Sequence, residues 1–306
     1  MKRLLHSIGE AFSSFPKAAL IGVGLFLFLG AFGPWLVPHD PNFQDLTARF
    51  AGPSADHWLG TDHVGRDVFS RLIVSARTTV VAMTIIVTFK LLIGVTLGTF
   101  AGFVKGRTEE ILMRFVELFM ALPSLIIALA VIGVLGIGYW NMVLALILAF
   151  WAGSTRVARG VAIGILNLPH IEALRVLGAS PLRIYFRHLL PSTLGMVLVY
   201  VSADAGGIAL SIATLSFLGL GIQPPTPEWG QMLVDALPYL DLNPWMVLLP
   251  GFAITGVVVS FNLLGEAIAL NRVPRELRRS VLRRGRLVAA SWERASSEDP
   301  NKRIAT

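Results

Sequence analysis

Residues 76–104 read ARTTVVAMTIIVTFKLLIGVTLGTFAGFV, an apolar run with Arg77 at its start and a second charge, Lys90, in mid-run. A hydrocarbon core of about 30 Å takes about 20 helical residues, so this run is long enough to cross a bilayer. Gly94, Gly98, Gly102 and Gly106 recur at every fourth position along the run and its exit. At that spacing they share one helical face, where small residues let two backbones approach closely. Gly94, Gly98 and Gly102 are therefore read as a helix-packing face. Gly160 and Gly164 repeat the spacing once, further along the chain.

Five more apolar runs flank this one, at 18–37, 111–135, 142–163, 192–215 and 245–270. They account for a composition that is 54% hydrophobic and only 15% charged over 306 residues, with a mean hydropathy of +0.68. Soluble domains carry about 25% charged residues. The sequence predicts an all-α integral membrane protein with six transmembrane helices. The first run follows Lys2, Arg3 and Lys17, as a signal peptide would, but it is long and lacks a clean Ala-x-Ala site, so it reads as a retained helix. The absence of cysteine removes disulfides, thiolate chemistry and cysteine-ligated metals.

The division expected is a terminus at 1–17, a first span at 18–37, a polar segment at 38–75, a five-helix core at 76–270 and a basic tail at 271–306. Within the core lie a loop at 164–190 and an outer segment at 222–244. Basic residues mark the cytoplasmic side. Lys2, Arg3, Lys17, Lys105, Arg107, Arg175, Arg183, Arg187 and the tail's seven arginines from Arg272 to Arg286 fall on one side of the predicted spans. Both termini are thus expected in the cytoplasm. The tail's charge is explained by attraction to anionic lipid.

Catalytic signals are thin. No G-x-x-x-x-G-K-[ST] loop is present, so the chain does not hold ATP in the P-loop manner. The spans hold serines but no histidine, which disfavours an intramembrane hydrolase. His57 and His63 lie near Asp56, Asp62 and Asp67 without a metal-ligand spacing, so no metal site is read there. Lys90, Glu117 and Asp204 sit inside apolar runs, where a charge costs roughly 2.5–3.5 kcal/mol. They are read as pairing with one another or with a partner, or as lining a cavity. An ion-coupled secondary transporter or a channel subunit using Glu117 and Asp204 is the alternative reading.

The loop between the fourth and fifth runs, LNLPHIEALRVLGASPLRIYFRHLLPST at 166–193, is too patterned for a tether. Ile171, Leu174 and Leu177 recur at three-residue spacing with Glu172 and Arg175 between them. That predicts a short amphipathic helix. Gly178 supplies a corner, Ser180-Pro181 caps and starts a second short helix, and Pro191 closes the unit. Two short helices around a glycine corner make a docking device; a helix lying on lipid is the blander reading.

The pattern Glu172-Ala173-Leu174, Gly178 after three residues, then His188-x-Leu190-Pro191 resembles the EAA loop of ABC importer permeases. PHDPN at 38–42, HWLGTDHVGRDVFSR at 57–71, LGASPLRIYFRHLLP at 177–191, LSFLGLGIQPPTPEWG at 215–230 and FNLLGE at 261–266 narrow the likeness. Together they resemble the C-type permeases of the dipeptide/oligopeptide/nickel branch, over nearly all of 18–270. Three positions depart from the family pattern: Leu174 for the second alanine, His188 for isoleucine, and Ile212 where a glutamate is frequent.

The resemblance implies a type I ABC importer permease fold and a non-enzymatic transport subunit in a prokaryotic inner membrane, with di- or oligopeptides as the first choice of solute. It implies a B-type permease as heterodimer partner, two cytoplasmic ATPases, an extracytoplasmic solute-binding protein and surrounding lipid, with no nucleic acid. ATP and magnesium would sit on the ATPases, and this chain would bind no cofactor. Glu172, Ala173, Leu174, Arg175 and Gly178 would form the coupling contact, with Arg183 and Arg187 meeting the ATPase or lipid.

Overall fold

The computed structural model describes the backbone of residues 2–272 and the side chains of residues 17–268. Of the basic tail expected at 271–306, residues 273–306 lie outside the described residues. The described residues up to 265 form one compact unit, which holds the sites described below.

Among the described residues ten α-helices follow one another: α1 (Lys2–Leu36), α2 (Val68–Val104), α3 (Gly106–Met120), α4 (Ser124–Leu135), α5 (Tyr139–Leu166), α6 (Pro169–Val176), α7 (Pro181–Ile184), α8 (Leu190–Phe217), α9 (Trp229–Ala236) and α10 (Trp245–Arg272). Among the described residues there is no strand, only an isolated bridge between Thr61 and Asp67. Among the described residues five helical stretches are long and apolar enough to cross a membrane: Lys17–Leu36, Val68–Val104, Tyr139–Leu166, Pro181–Phe217 and Trp245–Ile268.

A sixth crossing exists only if α3 and α4 count as one, and they meet at 86°. The run at 111–135 is therefore not one straight span. Pro123 has no N–H to donate and stands in an extended conformation (φ −57°, ψ 132°), and Leu122 before it is disfavoured in a helix. The two halves also differ in chemistry. α3 places Glu109, Glu110, Arg114 and Glu117 along a polar side, whereas α4 carries no charge.

α2 is the central element, packed mainly on α5 and also on α8 and α1. A Cβ at Gly94 would lie 2.6 Å from the Ser154 Cβ, one at Gly98 2.6 Å from the Ala158 Cβ, and one at Gly102 3.1 Å from the Ala162 Cβ. The α2 glycines thus face the small residues of α5 that stand four apart. Gly106 leaves this seam: nothing lies within 4 Å of its Cβ position, and its φ of +69° turns the chain into α3.

α2 starts at Val68 rather than near 76, because Asp67 caps it by accepting from the Ser70 N–H at 2.7 Å. Arg71, placed by sequence in the polar segment, is therefore in the first turn of α2. Here the segments before α2 and around α9 are clamped together. Arg66 Nε donates to Asp62 Oδ2 at 2.6 Å and its Nη2 to Asp235 Oδ2 at 3.2 Å. Arg71 Nη1 donates to the Pro41 carbonyl at 3.0 Å, and Trp229 Nε1 to the Leu72 carbonyl at 3.0 Å. Arg66, Arg71 and Asp62 are buried, so each charge depends on its partners.

Glu228 caps α9 by accepting from the Gln231 N–H at 3.1 Å and is fully buried. Burial pushes its carboxyl up to about 7, against the lowering effect of hydrogen bonds from Gln231, Ser216, Gly230 and Thr79. A folded-state value above the unfolded one means that the folded chain binds the extra proton. The stability that Glu228 contributes is thus fully present below pH 4.5 and is lost as pH rises through about 7, by on the order of 3 kcal/mol. Glu228→Gln keeps a capping oxygen and loses the titration. Thermal melting of the purified permease from pH 5 to 7.5 is expected to fall for the parent and to lose that component in Glu228→Gln.

Candidate functional site

The loop after α5 is built as a bracket. Asn167 ends α5, Pro169 opens α6 at its first turn, and Glu172 places an acid in that turn while Arg175 places a base in the last. Both charges favour the helix dipole. Gly178 has a φ of +80° with no atom within 4 Å of a Cβ position, so the corner requires glycine for its backbone and not for space. Ser180 caps α7, and Pro181 stands in its first turn.

α7 does not end before the fifth run, as the closing role assigned to Pro191 implied. It passes into a π-helical turn at Tyr185–Leu189 and on into α8, as a single apolar stretch Pro181–Phe217. Pro191 has no N–H for the Arg187 carbonyl, and its ring would crowd that carbonyl in an α-helix. The wider turn, with Leu190 N–H bonded to the Tyr185 carbonyl, immediately precedes it.

One side of this bracket is anchored and the other is open. Ile171 is fully buried with Ala162, Ile165 and Leu166 from α5, Ile184 from α7, and Leu189. Leu174 leans on the same cluster, so its extra bulk over alanine is partly spent inside the bracket. Leu177 does not share this face as its spacing suggested. It is 81% exposed, beside Val176 at 83%, with Leu182 and Phe186 also exposed. Glu172, Ala173, Arg175, Gly178, Arg183 and Arg187 are exposed as well.

A second site lies mid-bundle. Lys90 on α2 and Asp204 on α8 form an ion pair across helices 114 residues apart in sequence. The Lys90 side chain is 1% exposed and that of Asp204 38%. The Lys90 ammonium lies 5.4 Å from each of the Phe150 and Tyr200 ring centres. These groups and Leu122, at the α3–α4 break, line a groove of about 240 Å³. Glu117 takes no part. It pairs with Arg114 at 3.1 Å on exposed α3, beside Glu109, which receives the Arg159 Nε hydrogen bond at 2.6 Å. Ile212, at the position where glutamate is frequent, is buried in the main apolar core.

In the segment before α2, the histidine that joins His57 is His39, not His63. Ligand-capable atoms of His39, His57 and Asp67 lie within 4.8 Å of one another. Each is already engaged: His57 Nδ1 with Asp67 Oδ1 at 2.9 Å, Asp67 Oδ2 with the Ser70 N–H, and His39 Nε2 with the Asp56 carbonyl at 2.6 Å. The cluster works as a hydrogen-bonded tie between Asp56 and the start of α2. His63 instead stacks on Tyr239 at 5.3 Å.

Residues 94–276 match the family described as binding-protein-dependent transport system inner membrane component. The chain belongs to that family. Residues 17–53 of the permease also match the N-terminal transmembrane domain of oligopeptide transport permease C. The permease is 36% identical over 252 residues to the nickel transport system permease protein NikC of Escherichia coli (strain K12), covering 82% of this chain and 91% of that one. It is 37% identical over 256 residues to the dipeptide transport system permease protein DppC of Bacillus subtilis (strain 168), covering 82% and 80%. It shares 37% identity over 253 residues with the glutathione transport system permease protein GsiD of Pectobacterium atrosepticum, covering 81% and 84%. Its fold is similar to a chain of the inward-facing MetNI methionine ABC transporter, with a TM-score of 0.53, 19% identity, and coverage of 65% of this chain and 94% of that one. The permease is thus a multi-pass inner-membrane transport subunit of the peptide/nickel ABC importer branch. The secondary-transporter and channel readings find no support in these relatives.

Proposed function

We propose that this permease pairs with a related B-type permease, receives di- or oligopeptides from an extracytoplasmic binding protein, and is driven by two cytoplasmic ATPases that dock on the α6 bracket. ATP and magnesium belong to those ATPases; this chain carries neither. The observation that supports the reading is the two-sided build of the bracket. Val176, Leu177, Leu182 and Phe186 leave an apolar surface without a partner among the described residues, as a docking contact requires. Ile171 meanwhile ties α6 to the end of α5, to α7 and to the π-helical turn that runs on into α8. A displacement of α6 is therefore carried into two membrane helices rather than absorbed by a loose loop. Glu172 and Arg175 set polar contacts at the rim, with Arg183 and Arg187 toward the ATPase or anionic headgroups.

In this reading the termini and the bracket face the cytoplasm, and the clamp of Arg66, Asp62 and Asp235 faces the binding protein. The peptide assignment draws on the dipeptide relatives. The full complex reconstituted in vesicles is expected to hydrolyse ATP faster when the binding protein and mixed dipeptides are added. Failure of any ATPase to co-purify with the permease would overturn the reading.

A further inference from the structure

An aspartate with a half-open side chain in the middle of an apolar helix must face something other than lipid, since hydrocarbon would make its charge costly. Asp204 faces the groove at the α3–α4 break. Its Oδ2 is held by Lys90, and among the described residues its Oδ1 has no hydrogen-bond donor. The pair is oriented: the ammonium of Lys90 is sealed inside the bundle and the carboxylate stands toward the groove. The groove therefore sees the negative end of a fixed dipole, although the pair as a whole is neutral. Tyr200 adds a second group. Its hydroxyl lies 3.3 Å from the Cβ position of Gly153, and no partner for it is found among the described residues. A larger residue at 153 would reach the hydroxyl, so glycine keeps it accessible.

Resting on the importer reading above, we propose that Asp204 and Tyr200 form a pathway subsite for the primary ammonium group of the solute, with Lys90 as the positioning residue that holds the Asp204 carboxylate in place through its Oδ2. The free carboxylate oxygen accepts from the ammonium, the tyrosine hydroxyl gives a second acceptor, and the rings of Phe150 and Tyr200 favour a cation beside them. One carboxylate and one phenol, with no histidine lining the groove, are too few and too weak as ligands for a borderline transition metal. The chemistry of the subsite thus points to an amine and not to a metal ion.

The test uses the whole complex in vesicles with its binding protein and a mixture of dipeptides bearing free amino termini, reading ATP hydrolysis and uptake separately. Binding-protein-stimulated hydrolysis in the parent complex checks the importer reading by itself. With that in hand, Asp204→Leu combined with Lys90→Met removes both charges without leaving either buried alone. This double variant is expected to assemble and to keep stimulated hydrolysis while uptake falls at least tenfold. Uptake at the parent rate in the assembled double variant would make the pair structural and overturn the proposal. Should the double variant not assemble, Tyr200→Phe decides: unchanged melting with uptake lowered several-fold supports the subsite, and parent-rate uptake removes it. Parent complexes that hydrolyse ATP on stimulation but import no free-amine dipeptide would also overturn it.

Discussion

Replacing Gly178 with valine is expected to disconnect ATP hydrolysis from uptake while leaving the permease folded. The φ of +80° at this position costs an ordinary L-residue about 1–2 kcal/mol, and a β-branched one is poorly suited to it. Nothing crowds the Cβ position, so the penalty is purely one of backbone conformation. It is relieved if the corner re-forms with a negative φ, and that swings α6 relative to α7. The apolar surface of Val176 and Leu177 would then be presented at the wrong angle, although the anchor at Ile171 survives. In reconstituted complexes we expect uptake and binding-protein-stimulated hydrolysis to drop at least about tenfold, with melting changed by no more than the strain energy. Glu172→Lys, which puts a cation in the first turn of α6, should act in the same direction through charge. Normal stimulation in both variants would remove the bracket from the coupling route.

The largest structural effect is expected from Gly98→Leu. Even a Cβ at this position would meet the Thr155 carbonyl oxygen, with the Arg159 amide nitrogen at 2.9 Å. Both are backbone atoms of a helix and cannot turn aside as a side chain can. α2 and α5 would have to separate along the main seam of the bundle, and overpacking of this kind costs about 3 kcal/mol or more. Gly24→Leu on α1 is the control, since nothing lies within 4 Å of that Cβ position. Size-exclusion profiles and melting of the detergent-solubilised chain should show a folded peak for Gly24→Leu and little or none for Gly98→Leu. A stable Gly98→Leu permease would mean that the seam is looser than the close approach of its backbones implies.

These two glycines also mark how far the sequence could be read. Gly94, Gly98 and Gly102 were legible because helical periodicity turns equal spacing into a shared face, and nothing remote is needed to see it. The corner at Gly178 was legible for a similar reason, standing between Pro169 and Ser180-Pro181. The break at Pro123 carried its own signal, a proline within an apolar run, but hydropathy averages across it and returns one span. The pairs Lys90–Asp204 and Arg66–Asp235 join residues 114 and 169 positions apart, and no local pattern encodes which distant charge will meet which. Burial of Glu228 was hidden because its neighbours in sequence are prolines and a tryptophan, whereas the groups that enclose it come from α2 and α8.

The π-helical turn at Tyr185–Leu189 has a geometric consequence for the whole bracket. Such a turn amounts to one surplus residue in an otherwise α-helical rod. In a regular α-helix one added residue would rotate everything on one side by about 100°; the wider turn absorbs it, so excising a single position there would restore ordinary winding and leave the rods on either side nearly in line. The azimuth at which α7 and its corner meet the rest of the molecule is therefore kept by the winding of the backbone along this stretch, which takes up one residue of extra length without turning the bracket.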